Sequence, residues 1–296
     1  MLDPNDPRLT QAWEILKAQK DLGLSLEPES NRLAFADPEF LLRRETRGIR
    51  FQLELLKPDL EMQARGIEHT IVVFGSARFS SQEQSEQMRL EAQAHGDAQA
   101  QAQAEVRLRN ARYYEAARQF GARVVRGTND LSPAERLYVC TGGGPGIMEA
   151  ANKGAQAGKA PSVGLNILLP FEQQPNSYID PQLSFEFRYF FMRKFWFVYT
   201  AKAIVMFPGG FGTIDEMMEL LTLVQTHRIT KKMVVVLYGR EFWTRVIDFK
   251  YLVAQGVISP EDLRLFQLCD SVDEAFAYMT HHLPRNRKKF RLNLEA

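Results

Sequence analysis

Two glycine-rich turns, each lying between an apolar run and a helical segment, constrain the fold of this chain most. The first turn covers residues 141–146 (TGGGPG) and the second covers residues 208–213 (PGGFGT). A short apolar run followed by a glycine turn and a helix is typical of a parallel sheet, because parallel strands are joined by helical crossovers. A third apolar run ends at residues 75–78 (GSAR). We therefore expect a parallel sheet that carries all three turns on one edge.

Strand and helix patterns alternate along most of the chain. Strands are predicted at residues 70–75, 137–141, 163–169, 185–191, 203–207, 233–238 and 265–268. Helices are predicted at residues 145–158, 193–200, 214–226, 242–255 and 272–283. This alternation predicts an α/β fold of the Rossmann-like, doubly wound type, with helices on both faces of the sheet. Such sheets bind ligands at the carboxyl ends of their strands.

Three segments are expected from the pattern. Residues 1–65 lack strand patterns and predict an N-terminal helical arm, with one helix at 7–20 and an N-cap at Asp37 before Pro38. Residues 66–284 form the Rossmann-like domain, within which the Ala- and Gln-rich segment at 83–119 predicts one or two long helices. Residues 285–296 form a basic tail, which is expected to be solvated.

Bulk composition excludes several classes of protein. The 296 residues carry a formal net charge of +1, so no overall field favours nucleic acid or membrane partners. The first residues do not have the pattern of a secretory leader, and no apolar window is long enough to span a membrane, so neither a leader nor a membrane span is expected. The two cysteines, Cys140 and Cys269, have no metal-site spacing, and Cys140 lies in an apolar run. A cytoplasmic protein without a metal is expected.

The glycine-rich turns favour a phosphate ligand. Glycine lets the backbone approach a ligand closely, and the exposed N–H groups at a helix start attract anions. Gly75 and Ser76 end the first strand of the same edge. Neither turn has the spacing of a dinucleotide-binding or ATP-type loop, so NAD and ATP chemistry are disfavoured.

Glu216 has two interpretations. Thr213 and Glu216 have the spacing of a capping box, which would make Glu216 a helix cap alone. On a helical wheel, Glu216 points roughly 140° away from the apolar face of its helix. It would then face the glycine-rich turn, where a carboxylate could do chemistry.

Arg193 and Lys194 follow an aromatic run at residues 185–191. They could be exposed charges on a helix. If the aromatic run buries this helix start, Arg193 needs an anionic partner, either a phosphate or Glu216.

Three motifs together resemble the Lonely Guy family of cytokinin riboside 5′-monophosphate phosphoribohydrolases, whose members often carry an older lysine decarboxylase-like label. They are TGGGPGIMEAANKGA at 141–155, MRK at 192–194 and PGGFGTIDE at 208–216. The resemblance covers residues 68–284. It implies a Rossmann-like fold, a homo-oligomer and hydrolysis of nucleoside 5′-monophosphates to free base and ribose 5-phosphate.

The resemblance also implies roles for individual residues. Arg193 and Glu216 take the positions of the catalytic pair. The remaining matches are nucleotide- or phosphate-binding positions: Gly142, Gly143, Gly144, Glu149, Gly209, Gly210, Gly212 and Thr213. The sequence departs from the family at Phe191, because the usual histidine near the arginine is absent, and in the size of the segments at 1–65 and 83–119. These departures leave the preferred base open.

Other functions remain possible on the same residues. A nucleotide carrier or sensor would need the glycine turns but not Glu216. A decarboxylase would need pyridoxal phosphate on a lysine, and neither Lys194 nor Lys202 is suitably placed. An assembly protein would leave the turns unexplained. The proposed hydrolysis needs no cofactor.

The helix after the second turn suggests how the protein assembles. Ile214, Met217, Met218 and Leu221 are expected to face the sheet. Leu220 and Leu223 then lie on the opposite side, where a second subunit or the N-terminal arm would cover them. A homodimer or larger homo-oligomer is expected.

Overall fold

The computed structural model describes residues 32–132, 135–168 and 174–283, together with Glu14, Lys17 and Ala18. The chain forms two units, Met1–Leu53 and Glu54–Ala296. Apart from these three residues, the predicted helix at 7–20 lies outside the described residues, as does the predicted basic tail at 285–296. The predicted limits at residues 65 and 284 stay predictions.

In the first unit, a short helix begins where the sequence predicts a cap. Helix α1 (Pro38–Leu42) has Asp37 as its N-cap, and the Asp37 carboxylate accepts hydrogen bonds from the backbone N–H groups of Glu39 and Phe40. Pro38 takes the first helical position, where its missing N–H leaves nothing unpaired. Helix α2 (Arg47–Ala64) follows.

The second unit contains one sheet of seven parallel strands. The strands are β1 (Thr70–Phe74), β2 (Tyr138–Thr141), β3 (Val163–Ile167), β4 (Ser184–Phe187), β5 (Ala201–Met206), β6 (Val234–Tyr238) and β7 (Gln267–Cys269). Their order is β4-β3-β2-β1-β5-β6-β7, and every neighbouring pair is parallel. The chain moves outward from β1 in one direction and from β5 in the other. The predicted doubly wound, Rossmann-like α/β fold is confirmed.

Helices connect these strands. They are α3 (Gln82–His95), α4 (Ala98–Thr128), α5 (Ile147–Ala157), α6 (Phe190–Tyr199), α7 (Phe211–Gln225), α8 (Arg240–Val246), α9 (Phe249–Ala254) and α10 (Val272–His282). None of the helices in the described ranges is long and apolar enough to cross a membrane.

The sheet is covered on both faces. One face packs against α4, α5 and α10 in a continuous core that includes Ile71 and Val73 of β1. The alternate residues of β1 point the other way, as the two-residue repeat of a strand requires. There Phe74 meets the Phe197 ring of α6 edge to face, with the ring centroids 4.7 Å apart. Both central strands are therefore buried on both faces, which accounts for their continuous apolar runs.

The Ala- and Gln-rich segment forms two helices that are separated by a two-residue break. Gly96 ends α3 in the left-handed conformation, with φ of 69°. Asp97 then caps α4, since its carboxylate accepts hydrogen bonds from the N–H groups of Gln99 and Ala100. The prediction of one or two long helices is confirmed.

The predicted single helix at residues 242–255 is wrong. It consists of α8 and α9, and the chain is extended at Ile247 between them. Asp248 caps α9 by accepting a hydrogen bond from the N–H of Tyr251 at 2.9 Å. Asp248 lies at the middle of the predicted helix, and an aspartate there can cap a new helix, which periodicity alone overlooks.

The buried face of α7 also differs from the prediction. The buried residues are Thr213, Met217 and Leu220, whereas Met218 is 36% exposed. Leu220 is only 1% exposed within its own chain, so it does not need a partner subunit to cover it. The error arises because α7 is apolar on two adjoining sides, and the wheel gives no reason to choose between them. The homo-oligomer stays a prediction that rests on the family resemblance.

Candidate functional site

A cavity of about 630 Å³ lies at the carboxyl ends of β1 and β5, where the strand order reverses. This is the position at which open α/β sheets bind ligands. Its wall includes Gly75, Ser76, Ala77, Arg78, Met148, Phe190, Arg193, Gly209, Gly210, Phe211, Gly212, Thr213, Glu216, Phe242 and Val246. The structure thus brings eight of the twelve predicted site residues to one cavity: Gly75, Ser76, Arg193, Gly209, Gly210, Gly212, Thr213 and Glu216.

The segment after β1 joins the two glycine-rich turns. The backbone N–H of Ser76 donates to the carbonyl of Pro208 at 2.9 Å, and the carbonyl of Ser76 accepts from the N–H of Ile147 at 3.1 Å. A side chain at Gly75 would meet the Ile147 side chain at 2.6 to 2.8 Å. Gly75 is therefore required by packing, and the three turns form one connected edge.

The second turn opens α7 toward the cavity. Gly210 is its N-cap, and the helix begins at Phe211. A side chain at Gly210 or Gly212 would meet nothing within 4 Å, and both residues are exposed. The first N–H groups of a helix have no acceptor within the helix, so an anion placed here can accept from them. Thr213 is buried beside Gly209 and faces the same space.

Glu216 lies in the second turn of α7 and lines the cavity. The predicted capping box is wrong, because α7 begins at Phe211 and Thr213 is already its third residue. No side chain caps this helix start. The Glu216 side chain is 10% exposed, and its Oε1 lies 3.4 Å from Lys194 Nζ. A carboxylate removed from water at a cavity wall, with no capping role, is available for chemistry.

Arg193, on α6, is held by the protein backbone. Its Nε donates to the carbonyl of Leu165 at 2.7 Å, and its Nη2 donates to the carbonyl of Gly142 at 3.3 Å. Its guanidinium also stacks over the Phe197 ring, 4.9 Å from the centroid. Among the described residues, no direct ion pair joins Arg193 to Glu216, so of the two anionic partners considered from the sequence, Glu216 acts on Arg193 only through charge at longer range and the phosphate stays a prediction. Arg193 nevertheless borders the cavity.

Lys194, and not Arg193, is the cation that contacts Glu216. Its Nζ lies 2.7 Å from Asp215 Oδ2 and 2.6 Å from Glu219 Oε2, in addition to the contact with Glu216. Its side chain is 15% exposed. The interpretation of Lys194 as an exposed helix charge is therefore wrong: one ammonium group is shared by three carboxylates of α7.

Burial and charge act against each other at this site. Burial raises the pKa of Glu216 above its ordinary value, while the positive charges of Lys194 and Arg193 oppose that rise. Burial lowers the pKa of Arg193, and Glu216 opposes that change. For Lys194, burial acts to lower the pKa, but hydrogen bonds to Asp215 and Glu219 outweigh it and raise the pKa. The site thus holds a protonated lysine beside a carboxylate whose pKa is raised by burial.

The first turn serves the fold more directly than the cavity. Gly143 has φ of 75°, and a side chain there would collide with Asn166. The Asn176 side-chain amide donates to the carbonyls of both Gly143 and Gly144 at 3.1 Å. These glycines do not border the cavity, and Gly142 reaches it only through its hydrogen bond to Arg193.

Glu149 is likewise turned away from the cavity. Its Oε1 accepts a hydrogen bond from the Tyr114 hydroxyl at 2.7 Å, in the contact between α4 and α5. Burial and this hydrogen bond together raise the pKa of Tyr114. The role of Glu149 and of Gly142 to Gly144 in binding nucleotide stays a prediction.

Sequence reasoning missed several residues of the site. Lys194 could have been found, because the acidic cluster Asp215, Glu216 and Glu219 on one helix needs a cation nearby. Phe211 lies in the second turn and Arg78 in the segment at 75–78, but the sequence patterns assign neither residue a role in the site. Phe242 and Val246 of α8 carried no signal, since apolar residues on a helix look like core. In the described part of the chain, no cluster of histidine, cysteine or acidic residues could hold a metal ion.

This chain is similar to several solved structures and to one family model. Solved structures that are similar include a molybdenum cofactor carrier protein from Chlamydomonas reinhardtii, with 16% identity and a TM-score of 0.42 over 72% of this chain and 97% of that chain. Another is a molybdenum cofactor binding protein from Rippkaea orientalis, with 13% identity and a TM-score of 0.43 over 72% of this chain and 94% of that chain. No curated protein sequence matches significantly.

A family model gives the more specific result. Residues 148–279 match the model described as "Possible lysine decarboxylase". The matched segment contains Met148, Arg193, Lys194 and Glu216, together with the whole second turn. That description is the older label of the family whose motifs this sequence resembles. Over residues 148–279, the family model therefore supports the resemblance to the Lonely Guy family.

Proposed function

We propose that this protein hydrolyses the N-glycosidic bond of nucleoside 5′-monophosphates and releases the free base and ribose 5-phosphate. The observation that carries the proposal is Glu216, a buried carboxylate in the wall of a cavity that also contains an open, glycine-rich helix start. The helix start suits a phosphate, and the carboxylate suits the positive charge that develops on a ribose when its glycosidic bond breaks.

The phosphate would bind at the second turn. Gly210 and Gly212 leave room for it, and Arg78 borders the same cavity. Binding the phosphate holds the nucleotide at a point remote from the reacting carbon, and this binding energy positions the ribose over Glu216.

Glu216 would act on the ribose. As the bond from C1′ to the base nitrogen breaks, its electron pair leaves with the base, which takes up a proton. Water adds to C1′ and loses a proton, which Glu216 can accept. The ionised carboxylate also stabilises the cationic ribose through charge. No metal or cofactor is needed for these steps.

Arg193 would border the ribose from the other side. Its guanidinium is fixed by two backbone carbonyls and the Phe197 ring, so its orientation is set before a ligand arrives. Pre-organised charge of this kind costs no rearrangement during the reaction.

The decarboxylase label is disfavoured by the lysines. The amine of Lys194 is bound by three carboxylates that raise its pKa, so it stays protonated and cannot attack a carbonyl. Burial lowers the pKa of Lys231 to about 7, but its Nζ donates to the backbone carbonyls of Val198 and Tyr199. Neither lysine is free to form a Schiff base.

A panel of nucleoside 5′-monophosphates, scored for free base by chromatography, tests the proposal. We expect turnover that resists chelators and that is far weaker on nucleosides without the phosphate. Glu216→Gln should lower kcat on the order of a hundredfold while the thermal unfolding temperature changes little.

Three outcomes of the panel would contradict the proposal. Near-normal turnover in Glu216→Gln would end the catalytic role of this carboxylate. Equal rates on adenosine and its monophosphate would contradict the phosphate site. Tight binding without any release of base would favour a nucleotide carrier or sensor.

A further inference from the structure

The contacts of Glu216 point to a residue that the family motifs do not mark as catalytic. We propose that Lys194 is the positioning residue of this site: anchored by Asp215 and Glu219, it fixes the Glu216 carboxylate at the cavity wall and supplies its counter-charge. This inference rests on the proposed role of Glu216. Lys194 is not a catalytic residue, because it acts through Glu216.

Lys194 makes two short contacts, which anchor it, and one longer contact with Glu216. Lys194 Nζ lies 2.7 Å from Asp215 and 2.6 Å from Glu219, whereas it lies 3.4 Å from Glu216. An ammonium group has three N–H donors, and three carboxylates surround it. The two short contacts hold the lysine head in place, so the third donor points at Glu216.

Of the three carboxylates around Lys194, Glu216 depends most on its contact with the lysine, because it is the most buried. The side chains of Asp215 and Glu219 are 57% and 40% exposed, so water can solvate both carboxylates. The Glu216 side chain is 10% exposed and has little water around it. A buried carboxylate is held ionised only by nearby positive charge or hydrogen bonds.

Arg193 cannot replace Lys194 in this role. Its Nε and Nη2 are bound to backbone carbonyls on β3 and in the first turn. Without Lys194, Glu216 would face two like charges from its own helix, and the positive charges left in the cavity wall would be Arg193 and Arg78. The charged groups around Glu216 are Arg193 and Lys194 of α6, Asp215 and Glu219 of α7, and Arg78 across the cavity.

The sign of the pH effect follows from these charges. Loss of Lys194 removes a positive charge, which raises the pKa of Glu216 still further, so the ionised form is lost at a higher pH. Loss of the Glu219 charge removes a repulsion while Asp215 still anchors Lys194, which lowers the pKa of Glu216. The two variants therefore move the acid limb of activity in opposite directions.

The experiment compares pH profiles of kcat/KM for the cleaved monophosphate. Lys194→Met should move the acid limb upward by about one pH unit or more and lower kcat roughly tenfold near neutral pH, with KM nearly unchanged. Lys194→Arg should restore most of the lost kcat and return most of the acid limb to its wild-type position. Glu219→Gln should move the limb downward.

Lys231→Met is the matched control. Lys231 also contacts α6, through the carbonyls at its C-terminal end, but it is not bound to the acidic cluster. Its loss should lower thermal stability and leave the acid limb in place. If Lys194 only fastens α6 to α7, Lys194→Met will behave in the same way, and the inference is overturned.

A second measurement keeps this test independent of turnover. Carbon-13 NMR of glutamate-labelled protein, with the Glu216 signal assigned by its loss in Glu216→Gln, gives the titration midpoint directly. A higher midpoint in Lys194→Met supports the positioning role even if the nucleotide panel shows no cleavage. An unchanged midpoint refutes it, whatever the activity.

Discussion

The two glycine-rich turns look alike in sequence, but their surroundings differ. Each follows a strand and contains the glycine N-cap of the next helix, and each helix begins with an apolar residue, Ile147 after Gly146 and Phe211 after Gly210. Ile147 is fully buried, whereas Phe211 is 94% exposed. The first turn is thus closed by the protein itself, while the second is open to the cavity.

The difference shows which glycines the fold itself requires and which would be required by a ligand. In the first turn, Gly143 and Gly146 have positive φ, and side chains there would collide with Asn166 and with the backbone after Ser76. In the second turn, a side chain at Gly209 would collide with Thr213, but Gly210 and Gly212 meet nothing and need no unusual backbone, so these two form the open set. The fold explains the first set. We infer that a ligand explains the second, since only close approach of another molecule would penalise a side chain there.

Gly143→Ala should have the largest effect in this comparison. The substitution adds a side chain in a left-handed conformation and forces it against the Asn166 amide. We expect the free energy of unfolding to fall by about 3 kcal/mol, measured by urea denaturation. Gly210→Ala is the matched control and should change it by roughly 0.5 kcal/mol or less. Equal losses in both variants would remove the distinction between the turns.

Gly212→Ala should show the opposite behaviour. The residue lies within the first turn of α7, where alanine is a better helix former, so stability should be unchanged or rise by up to about 1 kcal/mol. The added methyl group should obstruct the phosphate. We expect KM for the monophosphate to rise about tenfold, equivalent to about 1.4 kcal/mol. Calorimetry with ribose 5-phosphate gives the same information without turnover, and unaltered affinity would mean that the phosphate binds elsewhere.

The sequence predicted the sheet well because its signals are local. Strands β1, β2 and β6 are short runs, largely apolar, that are followed directly by glycine, and the helices between the strands leave few possible topologies. The meeting of Gly75 and the glycine-rich start of α7 at one cavity follows from that topology, since carboxyl ends of parallel strands share an edge. For the same reason, the sequence alone predicts the position of the cavity.

The partners of individual side chains were not predictable in the same way. Arg193 and Lys194 are successive residues of α6, so their side chains point about 100° apart around the helix axis. Which of them contacts Glu216 therefore depends on how α6 is rotated about its axis. The buried face of α7 failed for a similar reason, because Leu220 and Met218 compete for one sheet surface. The hydrophobic periodicity of a helix predicts which of its side chains face the sheet only when one side of the helix is clearly polar.

Phe211→Ala should give the smallest effect and the most selective one. Phe211 is almost fully exposed beside the aromatic side chains Phe190 and Phe242 of the same cavity wall. Its removal should leave the free energy of unfolding within about 0.5 kcal/mol, since it packs against so little protein. A base that stacks on the ring would lose about 1 kcal/mol, so KM should rise about fivefold while Phe211→Tyr retains the wild-type value. Because stacking grows with ring size, the loss should be greater for purine than for pyrimidine monophosphates. A loss that is equal for both bases would mean that Phe211 contacts the ribose phosphate, and the open second turn would then recognise the phosphate alone.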